Sequence, residues 1–268
     1  MCMVVRKDGA RLLALFFVLV VVFFSGSTAK GEQSNDNPLA LDLVVVIDQS
    51  KSMRNDSENY GPNKSSDWNG YRMDAAAMMM SLCDFNESRI AFVTFSDQAL
   101  VNDQMAGYMD RMIKLSEIDT NTISVVVNRL NEMRNTVGPN TDLGAAVKKA
   151  VELLDKHKKT RGKRHPVILL LTDGEIDIRN GQGAKDKVRE QLSKDMFMEA
   201  VELAKKDGIQ AYTLALMPPY GSKPSISMLN QLSLDTGAGS TKTVTSAEDL
   251  PSFFNQIFAD KIDSEVNR

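Results

Sequence analysis

The feature that most constrains the fold is a regular alternation between short apolar runs and longer segments with helical spacing. Leu41–Ile47 is apolar apart from one Asp, and Val167–Leu171 is the most apolar segment beyond the first 40 residues. Runs of this kind are typical of strands that are buried on both faces of a sheet. The alternation predicts an α/β fold, in which a three-layer, doubly wound arrangement places helices on both faces of a mostly parallel sheet.

The same two periodicities predict the individual elements and the place where a site is expected. The predicted strands are Leu41–Ile47, Arg89–Phe95, Ala99–Ala106 at an edge, Val167–Leu171, Gln210–Leu216 and Ser240–Val244. The predicted helices are Tyr71–Cys83, Ile123–Leu130, Leu143–Leu154, Asp195–Lys206, Ser227–Leu234 and Ala247–Phe258. In sheets of this type, ligands bind outside the carboxyl ends of the strands, where the strand order reverses. The loops that follow the strands are therefore the first place to look for functional residues.

The N-terminal segment resembles a secretory signal peptide. Arg6, Lys7 and Arg11 precede the uninterrupted apolar run Leu12–Phe24, and small residues follow as far as Ala29. A spanning helix usually needs about 20 apolar residues, so an uncleaved membrane anchor is the alternative interpretation. We expect a secreted or cell-surface protein with a signal peptide over 1–29, a polar linker over 30–38, one domain over 39–262 and a tail over 263–268.

The composition argues against several classes of function. With 32 basic and 35 acidic residues the formal net charge is -3, so the chain has no general basic excess that would attract nucleic acid. Cys2 and Cys83 are the only cysteines, and His157 and His165 are the only histidines. These are too few for a disulfide framework, a cysteine-based zinc site or histidine-rich metal chemistry.

Side chains with oxygen atoms gather in the loops that the predicted topology brings to one edge of the sheet. Asp48, Ser50 and Ser52 alternate directly after the first strand, and alternate residues of an extended or turning segment can point the same way. Thr141 precedes a predicted helix, and Asp173 follows the most apolar strand. Such oxygen ligands suit Mg²⁺, Mn²⁺ or Ca²⁺ and disfavour zinc or copper. The three loops therefore predict one site for a divalent ion.

Each of these residues also has a purely structural interpretation. Asp48 and Asp173 could be strand-end turn residues, the two serines could cap loops, and Thr141 or Asp142 could be the N-cap of a helix. The joint presence of all five side chains favours the metal site over coincidence.

On these residues, the chain resembles the von Willebrand factor type A domain family over about residues 40–262. The D-x-S-x-S run at 48–52, Thr141 and Asp173 match the metal-ion-dependent adhesion site of that family. The resemblance implies a six-stranded sheet with one antiparallel edge strand, for which Ala99–Ala106 is the candidate. It also implies that the five side chains hold one Mg²⁺, or Mn²⁺ or Ca²⁺, and that an Asp or Glu carboxylate of a protein partner completes the coordination of the ion.

The function implied by this resemblance is metal-dependent protein binding or adhesion outside the cytoplasm, without catalysis. The short, single-domain layout suggests a bacterial source. A metal-independent scaffold subunit of an extracytoplasmic complex is the main alternative. A Mg²⁺-dependent hydrolase with Asp48 or Ser50 as its nucleophile has less support, because the sequence contains no Gly-x-Ser-x-Gly elbow and no Walker-type glycine loop.

Two long polar segments flank the predicted site. Residues 53–70 contain the only Trp of the chain, and Glu175–Gln191 carries many charges. Loops beside a binding site often determine which partner is recognised. We expect the rim of the site to be formed by Tyr60, Trp68, Asp142 and Glu175.

Overall fold

A computed structural model of the protein describes residues 40–54, 64–105, 107–174, 176–179, 181–217 and 226–257. Seven strands form one sheet in these described residues. The strands are β1 (Leu41–Asp48), β2 (Arg89–Phe95), β3 (Ala99–Val101), β4 (Ile113–Lys114), β5 (His165–Thr172), β6 (Gln210–Leu216) and β7 (Lys242–Val244). Their order is β3-β2-β1-β5-β6-β7, and the five strands from β2 to β7 on this path are parallel. Strands β3 and β4 both pair with β2 in the antiparallel direction. The predicted mostly parallel sheet with an antiparallel edge strand is confirmed, and the two-residue β4 is an addition to it.

Helices cover both faces of this sheet. They are α1 (Tyr71–Leu82), α2 (Thr120–Met133), α3 (Leu143–Lys156), α4 (Ala184–Lys206) and α5 (Ile226–Asp235), and residues 250–257 are also helical. Because side chains alternate along a strand, Leu43 and Val45 of β1 face a core with α1, α2 and residues 250–257. Val44 and Val46 face a second core with α3, α4 and α5. The three predicted layers are therefore present.

The edge strand is shorter than the predicted Ala99–Ala106. It ends at Val101 because Asn102 adopts a left-handed backbone conformation, with φ of 48°. The Asn102 side chain then accepts a hydrogen bond from the Phe92 backbone N–H at 2.9 Å and donates one to the Arg111 carbonyl at 2.8 Å. The side chain of Asn102 thus replaces the pairing that a longer strand would have made.

Helix α4 is longer than predicted. It begins at Ala184 rather than near Asp195, so the prediction of Glu175–Gln191 as a loop insertion is wrong for its second half. The first turns of α4 are polar, with Val188 exposed and Asp186 buried. An amphipathic helix is recognised by a repeating apolar stripe, and these turns have none.

The described ranges contain no helix that is both long enough and apolar enough to span a bilayer. The predicted signal peptide over 1–29, the linker over 30–38 and the tail over 263–268 lie outside the described residues.

Candidate functional site

Backbone hydrogen bonds bring the first two loops together at the carboxyl end of β1. The Gln49 N–H donates to the carbonyl of Phe95, the last residue of β2, at 2.7 Å, and the Gln49 carbonyl accepts from the Gly138 N–H at 2.8 Å. A Cβ at Gly138 would lie 2.1 Å from the Oγ of Ser96, so only glycine allows this close approach. The Asp142 N–H donates to the Ser96 carbonyl at 2.8 Å. The second loop is therefore fastened to both β1 and β2.

The third loop, which follows β5, contacts the second loop through Thr141. The N–H and the carbonyl of Thr141 pair with those of Asp177 at 2.7 and 3.2 Å. A Cβ at Gly174 would lie 3.6 Å from the Thr141 Oγ1, so this buried side chain is adjacent to the residue that follows Asp173. The fold thus places all three predicted loops side by side.

Asp48 is fully buried, and its two carboxylate oxygens accept hydrogen bonds from its own loop and from the last residue of β5. Its Oδ1 accepts from the Ser50 N–H at 2.7 Å, and its Oδ2 accepts from the Thr172 Oγ1 at 2.5 Å. The hydroxyls of Ser50 and Ser52 lie 2.9 Å apart. The D-x-S-x-S loop therefore presents its two serine hydroxyls together, beside the aspartate.

Asp173 is also fully buried and accepts two hydroxyl hydrogen bonds. Its Oδ1 accepts from the Ser52 Oγ at 2.8 Å, and its Oδ2 accepts from the Ser66 Oγ. The structure thus connects Asp48, Ser50, Ser52 and Asp173 through direct contacts, with Thr141 alongside. Ser66 is a member of this group that the sequence analysis missed.

The electrostatics of the site favour a bound cation. Burial raises the pKa of Asp48, and burial together with the nearby charge of Asp48 raises the pKa of Asp173 to about 7. The guanidinium of Arg72 opposes both shifts without cancelling them. A bound cation would offset the burial and mutual repulsion that disfavour the charged forms of these two carboxyls.

The donor set fits a hard divalent ion. Octahedral ligands placed 2.0–2.1 Å from Mg²⁺ lie about 2.9 Å from each other, which matches the distance between the hydroxyls of Ser50 and Ser52. A carboxylate oxygen has two lone pairs, so one that accepts a hydrogen bond can still bind a metal. Among the described residues, no group of three or more His, Cys, Asp or Glu side chains could hold a metal ion. An ion at this site would therefore be held by two carboxylates and by hydroxyls.

The described part of the predicted rim is shaped by a stacked pair. The Arg54 guanidinium lies 4.5 Å from the centroid of the Trp68 ring, and its Nη1 donates to the Trp68 carbonyl at 2.6 Å. Trp68 is half-buried under this contact. Tyr60 and Glu175 lie outside the described residues, and a role for these residues in partner binding stays a prediction.

Asp142 has a clear structural role. Its Oδ1 accepts from the Ala145 N–H at 3.0 Å and from the Ser193 Oγ at 2.6 Å, so it is the N-cap of α3 and links α3 to α4. At the same junction, a Cβ at Gly144 would lie 1.8 Å from the Ser193 carbonyl oxygen. Helix capping was the alternative interpretation of Asp142, and its contact with a partner stays a prediction.

A buried polar network beneath the first loop was also missed. Arg72 is fully buried, with its Nη1 2.7 Å from the Asp67 Oδ2 and its Nη2 2.7 Å from the Gln49 Oε1. The Gln49 Nε2 donates to the Met133 carbonyl at 3.1 Å. We call Asp67, Arg72 and Gln49 the Arg72 network. The sequence gives no sign of this network, because an Arg in the first turn of a helix usually lies in solvent.

We expect Asp173→Asn to stabilise the metal-free protein at pH 8 and to have little effect at pH 4. In the folded protein the pKa of Asp173 is about 7, above its ordinary value of 3.8, so ionisation of this carboxyl favours the unfolded chain. The contribution of the neutral Asp173 to the free energy of unfolding is therefore fully present below pH 4 and is lost as the pH rises through 7. Removal of this charge should raise the free energy of unfolding at pH 8 by about 1–3 kcal/mol, since one pKa unit corresponds to about 1.4 kcal/mol. Denaturant unfolding in a chelator measures this effect, with the exposed Glu117→Gln as control. An equal gain at both pH values would contradict the assignment.

Comparison with known proteins agrees with this architecture. The sequence model of the von Willebrand factor type A domain matches residues 42–256. A comparison with curated protein sequences found no significant match. The PilB minor pilin from Streptococcus sanguinis is a similar solved structure, with a TM-score of 0.56, 17% identity, and coverage of 85% of this chain and 63% of PilB. The pilus adhesin SpaC from Lactobacillus rhamnosus GG is another, with a TM-score of 0.52, 14% identity, and coverage of 84% of this chain and 31% of SpaC.

These structural likenesses concern the fold alone, because the identities are low and the chain spans less than two thirds of either protein. The family match is of a different kind, because it covers most of the sequence. It includes all three loops of the candidate site and nearly every strand and helix of the described structure. The chain therefore belongs to the von Willebrand factor type A domain family.

Proposed function

We propose that this protein is a metal-dependent binding domain, in which a partner carboxylate completes the coordination of a divalent ion. The observation that carries the proposal is the pair of fully buried carboxylates, Asp48 and Asp173, in contact with serine hydroxyls where three loops meet. The side chains proposed to hold the ion are Asp48, Ser50, Ser52, Thr141 and Asp173. Mg²⁺ is the favoured ion, with Mn²⁺ or Ca²⁺ as alternatives, because all the donors are hard oxygen atoms.

The residues of the site would leave a bound ion able to attract a further anion. Two carboxylates balance a divalent charge, but each carboxylate oxygen already accepts a hydrogen bond, which weakens its donation to a metal. The hydroxyls of Ser50, Ser52 and Thr141 are neutral ligands and can yield a position to a stronger donor. When bound, the ion supplies a Lewis acid that binds a carboxylate oxygen of the partner.

The proposed biological role is adhesion or the assembly of an extracytoplasmic complex. The pilus proteins with a similar fold support this role, as does the signal-like N-terminal segment. We propose no catalytic residue: His165 begins β5, at the end of that strand away from the site, and His157 directly follows α3. The proposed partner is a protein with an exposed Asp or Glu, not a nucleic acid, and a membrane would be involved only through an uncleaved N-terminal anchor.

Calorimetric titration of the purified protein with Mg²⁺, Mn²⁺ and Ca²⁺ tests the metal site. We expect saturable binding by the wild type that is lost in Asp48→Ala and in Thr141→Ala, because each removes one of the proposed ligands. Glu117→Ala is the control, since its exposed side chain lies near β4, which pairs with the start of β2 away from the three loops. Unchanged binding in the two ligand variants would overturn the site. Absence of binding by the folded wild type would instead favour the metal-independent scaffold.

A further inference from the structure

Residues 66–67, in the described part of the polar segment after the first loop, are fastened to that loop by backbone hydrogen bonds. The Ser66 N–H donates to the Ser52 carbonyl at 3.1 Å, and the Asp67 N–H donates to the Met53 carbonyl at 2.9 Å. Residues 66–67 therefore pair with the backbone of the first loop itself. Their position does not depend on the side chain of Ser66.

The Arg72 network also fixes residues 66–67, because Asp67 is one of its members. The Asp67 carboxylate is fully buried, and it accepts from the Tyr71 and Arg72 N–H groups at 2.7 and 3.1 Å as well as from the Arg72 guanidinium. Gln49, the other partner of Arg72, lies between Asp48 and Ser50 in the first loop. Ser66 is thus clamped between the first loop and a buried ion pair.

From this position, the Ser66 hydroxyl donates to the Asp173 Oδ2, while the Ser52 hydroxyl donates to the Asp173 Oδ1 at 2.8 Å. A carboxylate with a hydroxyl donor on each oxygen is fixed in orientation. Such a carboxylate also has less freedom to turn both oxygens toward one ion.

We propose that Ser66 is a positioning residue of the metal site, which orients Asp173, disfavours chelation of an ion through both of its oxygens and so favours Mg²⁺ over Ca²⁺. This inference rests on the proposed function. Ca²⁺ takes six to eight oxygen ligands and readily accepts bidentate carboxylates, whereas Mg²⁺ requires a compact octahedron of single oxygens. A hydroxyl that holds one oxygen of Asp173 in a hydrogen bond makes bidentate binding less favourable and therefore selects against the larger ion.

Titration of Ser66→Ala with Mg²⁺ alone and with Ca²⁺ alone tests the proposal. We expect the ratio of Mg²⁺ affinity to Ca²⁺ affinity to fall about tenfold, the usual scale for loss of a group that orients a metal ligand. Mg²⁺ loses a pre-oriented ligand, while Ca²⁺ gains access to both oxygens of Asp173. Ser66→Cys, in which a thiol is only a weak donor, should shift the ratio in the same direction.

Two controls separate this effect from a general loss of structure. Ser66→Thr keeps the hydroxyl and should keep the wild-type ratio. Ser124→Ala removes a hydroxyl from the exposed face of α2, where it bonds the Thr120 carbonyl, and should also leave the ratio unchanged. The unfolding midpoint of each variant in chelator should stay close to that of the wild type.

The outcomes distinguish this inference from the proposed function. A wild type that binds neither ion overturns both. A wild type that binds both ions, with the same affinity ratio in Ser66→Ala, overturns the role of Ser66 and leaves the metal site in place. A lower ratio in Ser66→Ala and Ser66→Cys, together with the wild-type ratio in Ser66→Thr, supports the assignment.

Discussion

Replacement of Arg72 by Met is expected to lower the free energy of unfolding by about 3–5 kcal/mol, the usual result of breaking a buried ion pair from one side. Both Arg72 and Asp67 are inaccessible to solvent, and the substitution leaves the Asp67 carboxylate buried without its guanidinium. Gln49 loses its hydrogen bond to the Arg72 Nη2 at the same time. Denaturant unfolding of the wild type and of Arg72→Met in chelator measures the difference.

An exposed ion pair provides the matched control for this experiment. The Lys114 Nζ lies 2.7 Å from the Glu117 Oε1, and both side chains are more than half exposed. Lys114→Met should therefore cost less than about 1 kcal/mol. A loss below 1 kcal/mol in Arg72→Met would contradict the idea that its network stabilises the fold. The loss of unfolding free energy in Arg72→Lys should lie between those of Arg72→Met and Lys114→Met, because lysine keeps the charge but not the paired hydrogen bonds of a guanidinium.

At the opposite end of β1, Asp42→Asn is expected to lower the free energy of unfolding by a similar amount, about 3–5 kcal/mol. Asp42 is fully buried and is surrounded by three guanidinium groups. Arg89 binds it through two hydrogen bonds of 2.7 and 2.6 Å, the Arg164 Nε lies 2.9 Å from its Oδ1, and the Arg161 Nε lies 3.6 Å from its Oδ2. Loss of this one carboxylate leaves three neighbouring positive charges without the charge that balances them.

Thermal and denaturant unfolding of Asp42→Asn and of Asp103→Asn together test this expectation. Asp103 pairs with one partly exposed residue, Arg129, at 3.1 Å, so its substitution should cost about 1 kcal/mol or less. Equal losses of unfolding free energy in the two variants would show that the three neighbouring guanidinium groups cost little stability without Asp42. A much larger loss of unfolding free energy in Asp42→Asn would show that Asp42 stabilises the turn between α3 and β5.

The two ends of β1 differ in how their aspartates are neutralised. Asp42 contacts three guanidinium groups, whereas the described residues that contact Asp48 and Asp173 directly offer hydroxyl and amide donors. The charge of Arg72 opposes the rise in both pKa values without cancelling it. A buried carboxylate that is fully paired serves structure, and a buried pair that lacks a counter-charge is a candidate binding site. This contrast is an independent reason to place function at the carboxyl end of the sheet.

The sequence by itself determined the succession of strands and helices along the chain, apart from the two-residue β4, and it predicted the five side chains of the candidate site. Arg89–Phe95 and Gln210–Leu216 have the predicted bounds, because an apolar run between polar turns defines a buried strand without reference to the rest of the molecule. Asp48, Ser50 and Ser52 are predictable because they are close in sequence. Asp173 is predictable because parallel strands end at one edge of a sheet. Thr141 is predictable because it lies in the loop that opens the helix before β5.

Only the tertiary structure decided which further groups complete the site and where weakly patterned elements begin. The Ser66 hydroxyl reaches Asp173 across 107 positions of sequence, and Thr172 reaches Asp48 across 124. Neither contact has a periodic signal, because each depends on the path of a whole loop or on the neighbour that a strand acquires in the sheet. The burial of Arg72 depends on partners such as Asp67 and Gln49, which the fold brings to it. The first turns of α4 bury too little apolar surface to leave a repeat. Local periodicity reports which face of an element is buried, whereas contacts between distant polar groups are set by the packing of the whole chain.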